Sequence, residues 1–362
     1  MPLIPLSKTR RASCLGRLLV FFVLIVLAIL YFNPWLRKIA LDAVAERYPQ
    51  TKTWPDKAAK AAGDARDLAV SGYNKGKKLL QSSLPSSSPA PKAAPPSRPA
   101  KLTGEKDEIR IGSFNIRIFS NNSRTDDELQ QIADILKYYD VIAIQELRDG
   151  KVLQRTTDIL AQMGQVYDYI VSPPTGRGVK ERYAFVFRPD KIQLIGEGRL
   201  YDDPRDVFMR SPFYATFRAG NFDFTLITVH LVYGDFKDAR RKEIHHLARV
   251  YREVMDTDPR EKDIIVLGDF NLPPVDSGWA DFKAIPEMIH LISPPEKTTI
   301  TDTSLYDNFW FQRDSLREYT GRAGVIRFDE NMFQNDDAGA ERAVSDHRPI
   351  WADFRTSMQD DD

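Results

Sequence analysis

The chain has 362 residues, 42% of them hydrophobic, which is enough for a core of ordinary size and sets it apart from disordered chains. Its formal net charge is +0, yet residues 1–104 carry 17 Lys and Arg against 5 Asp and Glu, and the remainder carries 34 against 46. A basic arm on an acidic folded domain follows, and a single cysteine, Cys14, excludes an intrachain disulfide.

Leu18 to Phe32 is an unbroken apolar run, and with Asn33 to Leu36 it reaches nearly the length of a membrane span. Lys8, Arg10, Arg11 and Arg17 precede it, so the positive-inside rule keeps the amino terminus cytoplasmic. A cleaved secretory signal competes with this reading. Tyr31, Trp35 and Arg37 resemble an interfacial anchor, and no clean small-x-small site follows the run, so an uncleaved transmembrane anchor is expected over 18–36. The domain beyond it is then expected on the periplasmic or extracellular side, or secreted if the segment is removed. Residues 37–104 read as a stalk ending in a Pro/Ser/Ala linker that cannot bury a core. One folded domain is expected over 105–357, followed by an acidic tail at 358–362.

Within that domain, Ile109 to Asn115 alternates into a strand that ends on an amide. Ser123 to Asp127 supply helix-start residues, after which Leu129, Ile132, Leu136 and Tyr139 recur at helical spacing. Val141 to Glu146 is a continuous apolar run that suits a strand buried on both faces and stops at a carboxylate. A helix is expected around 151–163, then strands over 167–172, 182–188, 191–196, 213–218 and 222–230, the last ending on His230. The helix expected over 238–255 carries Ile244, Leu247, Tyr251 and Val254 on one face, and His245 and His246 within it read as solvated. Asp263 to Asn271 repeats the pattern of a buried strand closed by polar residues, here Asp269 and Asn271. Tyr306 to Phe311 is a strand that starts beside an acid, Asp307, and Ser345-Asp346-His347 leads into the alternating strand Ile350 to Phe354.

One polar strand end is common. Eight of them, namely Asn115, Glu146, His230, Asp269, Asn271, Asp307, Asp346 and His347, point to a shared site at one edge of packed sheets. Hard oxygen donors without a cysteine cluster suit Mg²⁺, Mn²⁺ or Ca²⁺ rather than structural zinc. Two histidines beside such an ion suit attack of water on a phosphodiester, one taking the water's proton and the other protonating the leaving oxygen.

With these residues in place the chain resembles the endonuclease/exonuclease/phosphatase superfamily, and within it the deoxyribonuclease I subfamily. The resemblance is carried by FNIRIF at 114–119, IQELRDG at 144–150, GRGVKERYAFVFRPDKI at 176–192, MRSP around Arg210, TVH at 228–230, GDFN at 268–271, YDN at 306–308 and SDHRP at 345–349. It implies a four-layered α/β sandwich, two packed mixed sheets flanked by helices. It further implies metal-site roles for Glu146, Asn115 and Asp346, and a histidine pair, His230 and His347, flanking the scissile phosphate. Glu181 and Asp307 would orient those histidines, while Asp269 and Asn271 would contact the phosphate, the metal or the attacking water. Arg148, Arg210 and Tyr306 fall at substrate-binding positions, with DNA as the implied partner and Mg²⁺ or Mn²⁺ as the implied cofactor.

Three departures accompany the resemblance: Val179 stands where the animal enzymes have an aromatic DNA contact, the family's extracellular disulfide is absent, and the calcium loop is only partly matched by Glu296, Thr298 and Asp302. A structural Ca²⁺ is therefore an open expectation. The same machinery acting on sphingomyelin or inositol phosphates is the first alternative, because a membrane anchor would bring such substrates near. A non-catalytic docking module is the second, and would be expected to lack a histidine or the metal glutamate, none of which is missing.

Overall fold

Alternation of side chains along the strands decides the architecture, seen here in a computed structural model that describes residues 107–359 except 235, 259 and 260. The expectations of anchor, stalk and linker, and the last residues of the acidic tail, lie outside the described residues. Among the described residues, no helix is long and apolar enough to cross a membrane.

Strands β1 (Glu108–Phe119), β2 (Val141–Leu147), β3 (Asp168–Val171), β4 (Arg182–Phe187), β11 (Tyr319–Val325) and β12 (Ile350–Arg355) form a six-stranded sheet in the order β11-β12-β1-β2-β4-β3. The second sheet has the order β5-β6-β7-β8-β10-β9, from β5 (Gln193–Leu200), β6 (Phe213–Ala219), β7 (Phe222–His230), β8 (Ile264–Asp269), β9 (Met288–His290) and β10 (Asp307–Gln312). Both sheets are mixed: β1 runs parallel to β2, and β7 to β8, while the other pairs are antiparallel.

One face of each sheet meets the other through Ile111, Ala143, Phe185, Phe217, Leu226, Leu267 and Phe309, all buried. The opposite face of the first sheet, with Phe114, Ile142 and Ile144, is covered by Leu129, Ile132 and Leu136 of α1 (Asp126–Leu136) and Leu153 and Leu160 of α2 (Gly150–Gln162). The opposite face of the second, with Ile227, Val229 and Val266, is covered by Ile244, Leu247 and Tyr251 of α3 (Lys237–Thr257). This is the expected four-layered sandwich. Helix starts are chemically specified: Thr125 and Glu128 form a reciprocal capping box on α1, and the Asp149 carboxylate accepts from the amides of Lys151 and Val152 at the start of α2.

Some elements differ from the sequence reading. The strand expected over 191–196 is displaced to Gln193–Leu200, because half of its residues face water and give no sharp hydrophobic edge. Strands β9 and β11 and the helices Phe328–Asn331 and Asp337–Ala343 were not anticipated. β9 has three residues, and β11 contains two glycines and only exposed or part-buried positions, so neither carries a strong alternating signal.

The same alternation gathers the polar ends. Ile111, Ser113 and Asn115 on β1, Ala143 and Gln145 on β2, Leu226, Thr228 and His230 on β7, Leu267 and Asp269 on β8, and Asp307 and Phe309 on β10 take alternate positions on strands whose apolar members pack between the sheets. Register then aligns His230 with Asp269 and Asp269 with Asp307 on adjacent strands. Gly268 permits this alignment: its φ is +142°, and a Cβ there would lie 2.1 Å from the carbonyl oxygen of Val229. The glycine of the GDFN motif is thus required by the close approach of β7 to β8 just before Asp269.

Candidate active site

The centre of the polar edge is Asp269, 1% exposed. Its Oδ1 accepts from the Asn271 amide at 2.9 Å and its Oδ2 from Asn115 Nδ2 at 3.0 Å, so a contact across the two sheets fixes the carboxylate. Nε2 of His230 lies 3.7 Å, and Nε2 of His347 3.6 Å, from the same Oδ2. Behind each ring stands a carboxylate on Nδ1: Glu181 Oε2 at 2.9 Å from His230, and Asp307 Oδ2 at 2.9 Å from His347. Each ring is thereby held with Nε2 toward one shared point.

The two pairs differ in electrostatics. Glu181 also binds Arg210, with Nε at 2.7 Å, and Arg148, with Nη2 at 3.3 Å. Burial alone would push the Glu181 carboxyl up, but the bond from His230 and the charges of His230, Arg210 and Arg148 outweigh it and hold it at about 2. Asp307 has no arginine among its described partners. Burial works to lower the basicity of His347, but Asp307, Asp269 and Asp346 together raise it well above the ordinary histidine value. Three acids thus raise the basicity of His347, whereas the acid behind His230 is shared with two guanidinium groups.

Glu146 and Asn271 adopt left-handed backbone, with φ of 59° and 50°, and so does Ile118 at 48°. Such a conformation is unfavourable for a β-branched residue and persists where surrounding structure enforces it. Here β1 is irregular against β2 between Asn115 and Phe119, and β2 against β4 between Ile144 and Leu147. The paired irregularities release Glu146 from the ladder, and its Oε2 accepts from the Ile118 amide at 3.0 Å. Ser345, fully buried, donates to the Asn115 carbonyl at 2.6 Å and accepts from the amides of Arg117 and His347, which joins the SDH turn to the end of β1.

Of the residues expected at the site, Asn115, Glu181, Arg148, Arg210, His230, Asp269, Asn271, Asp307 and His347 are linked by direct contacts, and Glu146 joins through Arg148 at 3.8 Å. Asp346 acts on His347 through its charge. Tyr306 enters through its main chain, its amide donating to Thr298 Oγ1 at 2.9 Å. Arg148 and Arg210, expected to touch DNA, are bound to Glu181 in this state. Val179 is exposed, and His245 is exposed and paired with Asp281 at 2.7 Å, away from the central network. Glu296 and Asp302, the offered calcium positions, have their carboxylates matched by Arg327, and Asp302 also by Arg348, so arginine charge takes the place a cation would have there.

Three buried groups had not been singled out as positioning residues. Glu243 of α3, whose carboxyl is pushed up by burial and pulled back by two backbone bonds, accepts from the amides of Met209 at 2.5 Å and Val232 at 2.7 Å. Arg240, one turn earlier, donates to the carbonyls of Asn271 and Gly234, both at 2.7 Å. One turn of helix thus fixes the loops bearing Arg210, His230 and Asn271. On the other side, the Thr298 hydroxyl accepts from the Asp307 amide at 3.1 Å while its carbonyl accepts from the Arg348 amide at 2.6 Å. The available signal was charged residues at 240 and 243 on the apolar stripe of α3.

The site contains donors suited to a hard divalent ion. Asn115 Oδ1 is buried with no protein partner, and Glu146 is a part-buried carboxylate held in a special backbone conformation. Asp269, Asp307 and His347 also offer ligand atoms within 4.8 Å of one another.

Comparison with known proteins agrees with this arrangement. Residues 112–347 match the sequence pattern of the Endonuclease/Exonuclease/phosphatase family. A deoxyribonuclease of Thioalkalivibrio sp. (strain K90mix) is 33% identical over 261 residues, covering 68% of this chain and 71% of that protein. Deoxyribonuclease-1 of Equus caballus is 32% identical over 264 residues, covering 67% of this chain and 90% of that protein. In fold alone, the human Nocturnin catalytic domain superposes with a TM-score of 0.50 at 15% identity, covering 68% of this chain and 94% of that one.

The Glu181 cluster carries a pH signature. A carboxyl held at about 2 contributes stability that is present above its unfolded value, near 4.5, and is lost as pH falls toward 2. Glu181→Gln should therefore cost on the order of 3 kcal/mol at neutral pH in urea unfolding, with the gap to wild type closing between roughly pH 4.5 and 2. A gap that stays constant across that range would contradict the pairing.

Proposed function

Because this chain belongs to the endonuclease/exonuclease/phosphatase family, in its deoxyribonuclease I-like branch, we propose that it is a metal-dependent DNA endonuclease. Like its family it is a hydrolase of phosphodiester bonds. The observation that carries the assignment of roles is the unequal setting of the two imidazoles. His347, whose basicity is raised by the charges of Asp307, Asp269 and Asp346, is the group assigned to donate a proton from Nε2 to the leaving oxygen. His230 is held by Glu181 through Nδ1, which turns its Nε2 toward the site to accept the proton of the attacking water. Asp269, facing both Nε2 atoms, orients that water between them.

Glu146, Asn115 and Asp346 would hold Mg²⁺ or Mn²⁺, which supplies charge stabilisation at the phosphate when bound. The alternative cluster of Asp269, Asp307 and His347 suits an ion less well. Asp307 Oδ2 and His347 Nδ1 already bond each other, and His347 Nε2 is needed for its proton. Arg148 and Arg210, beside the histidine–Glu181 pair, are placed to receive phosphate oxygens as bidentate donors.

For location, we propose that the apolar run at 18–36 tethers the chain to a membrane with the hydrolase domain on the far side, a reading supported by the flanking Lys8, Arg10, Arg11 and Arg17. Protease treatment of intact cells should then remove the domain; protection in intact cells and spheroplasts alike would contradict it.

The activity is tested by nicking of supercoiled plasmid with Mg²⁺ or Mn²⁺. Chelator should abolish nicking, and His347→Ala should lower it by about 10²–10⁴-fold or more. Nicking that survives both treatments, or turnover of sphingomyelin or inositol phosphates without nicking, would overturn the assignment.

A further inference from the structure

Both acid–histidine pairs of the site straddle the gap between the sheets. Glu181 precedes β4 of the first sheet and His230 ends β7 of the second, while His347 precedes β12 of the first and Asp307 opens β10 of the second. Each pair is bonded at 2.9 Å, and Asn115 of β1 reaches Asp269 of β8 at 3.0 Å. Such bonds form only over about 2.7–3.2 Å. The spacing of the sheets at this edge therefore decides whether the site can assemble.

Deeper between the sheets the contact is apolar, through Ile111, Ala143, Leu226 and Leu267. Apolar layers fill volume but tolerate small shifts. The layer between that core and the site is polar instead. Ser113, Gln145 and Thr228 are each 0% exposed. Gln145 Nε2 donates to Ser113 Oγ at 3.0 Å on the neighbouring strand and, across the gap, to Thr228 Oγ1 at 2.9 Å. The buried Tyr183 hydroxyl also crosses the gap and accepts from the His230 amide at 3.0 Å.

Each of these residues stands directly behind a site group. Ser113 is two positions before Asn115, Gln145 one before Glu146, Thr228 two before His230, and Tyr183 two after Glu181. Exchanging a matched buried polar set for apolar groups of the same shape is nearly neutral for stability. A fully bonded network instead fixes one arrangement of the elements it joins.

We propose that Gln145 and Thr228 are positioning residues, whose bond sets the sheet spacing at which Glu181 meets His230 and Asp307 meets His347. They touch neither substrate nor metal and act through the two histidines, an inference that rests on the phosphodiesterase reading of that site.

Substitution of Thr228 separates this role from packing. Valine keeps the shape and removes the hydroxyl; serine keeps the hydroxyl and removes a methyl. Thr228→Val should lower kcat for plasmid nicking by about 10–100-fold with KM little changed. Thr228→Ser should keep kcat within about twofold of wild type, although it melts at a lower temperature. The triple variant Ser113→Ala/Gln145→Met/Thr228→Val leaves no unmatched polar group in the layer, so it should fold and show the same loss of kcat. Wild-type kcat in the triple variant, a serine variant slower than the valine one, or a change confined to KM overturns the proposal. Hydrogen exchange of the full-length chain, read by mass spectrometry on the segment bearing the His230 amide, supplies a readout without turnover. Exchange there should be faster in Thr228→Val and unchanged in Thr228→Ser; equal exchange in the two variants overturns the proposal. Failure of the nuclease reading is seen separately, as absent metal-dependent nicking by the wild-type chain.

Discussion

A carboxylate that is 1% exposed, pinned between two sheets and facing two imidazoles, is the constraint on which the rest of this domain depends. A buried charge costs several kcal/mol unless it is matched by hydrogen bonds or opposite charge. Asp269 is matched by the Asn115 side chain from the first sheet and the Asn271 amide beyond its own strand. The match requires the sheets to close with their strand ends level. Gly268, the irregular turn of β1 and β2, and the Ser345 contact to Asn115 all serve that closure.

From this centre the charge is distributed unevenly, and the division of chemical labour follows. Arg148 and Arg210 offset the acid behind His230, while Asp307, Asp269 and Asp346 leave a net negative field around His347. On the proposed assignment, two similar histidine–carboxylate pairs take opposite roles through their neighbours. The same arginines are the proposed phosphate donors. Substrate binding, as proposed, would then draw on charge that holds Glu181 in the free protein.

Much of this was legible in the sequence because strands write a period of two. Asn115, His230, Asp269 and Asp307 each fall on an inward strand position beyond apolar ones, and that pattern named the edge before any contact was known. Glu181, Arg148 and Arg210 needed the family resemblance, since nothing in their local pattern separates them from solvated charge. Arg240 and Glu243 carry no such local signal, because their partners are backbone groups far along the chain, such as the Met209 amide, 34 residues from Glu243. Their places on the same stripe as Ile244 and Leu247 were the clue. The displacement of β5 and the small strand β9 reflect edges where exposure weakens the apolar signal that sequence reading relies on.

His230 and His347 are proposed to work as one proton-transfer unit across Asp269. A double-mutant cycle on plasmid nicking tests it most directly, comparing His230→Ala, His347→Ala and the double variant. Each single change should remove nearly all activity, and the double variant should be little worse than the weaker single one. Losses that multiply independently, or a single variant that keeps wild-type rate, would contradict it.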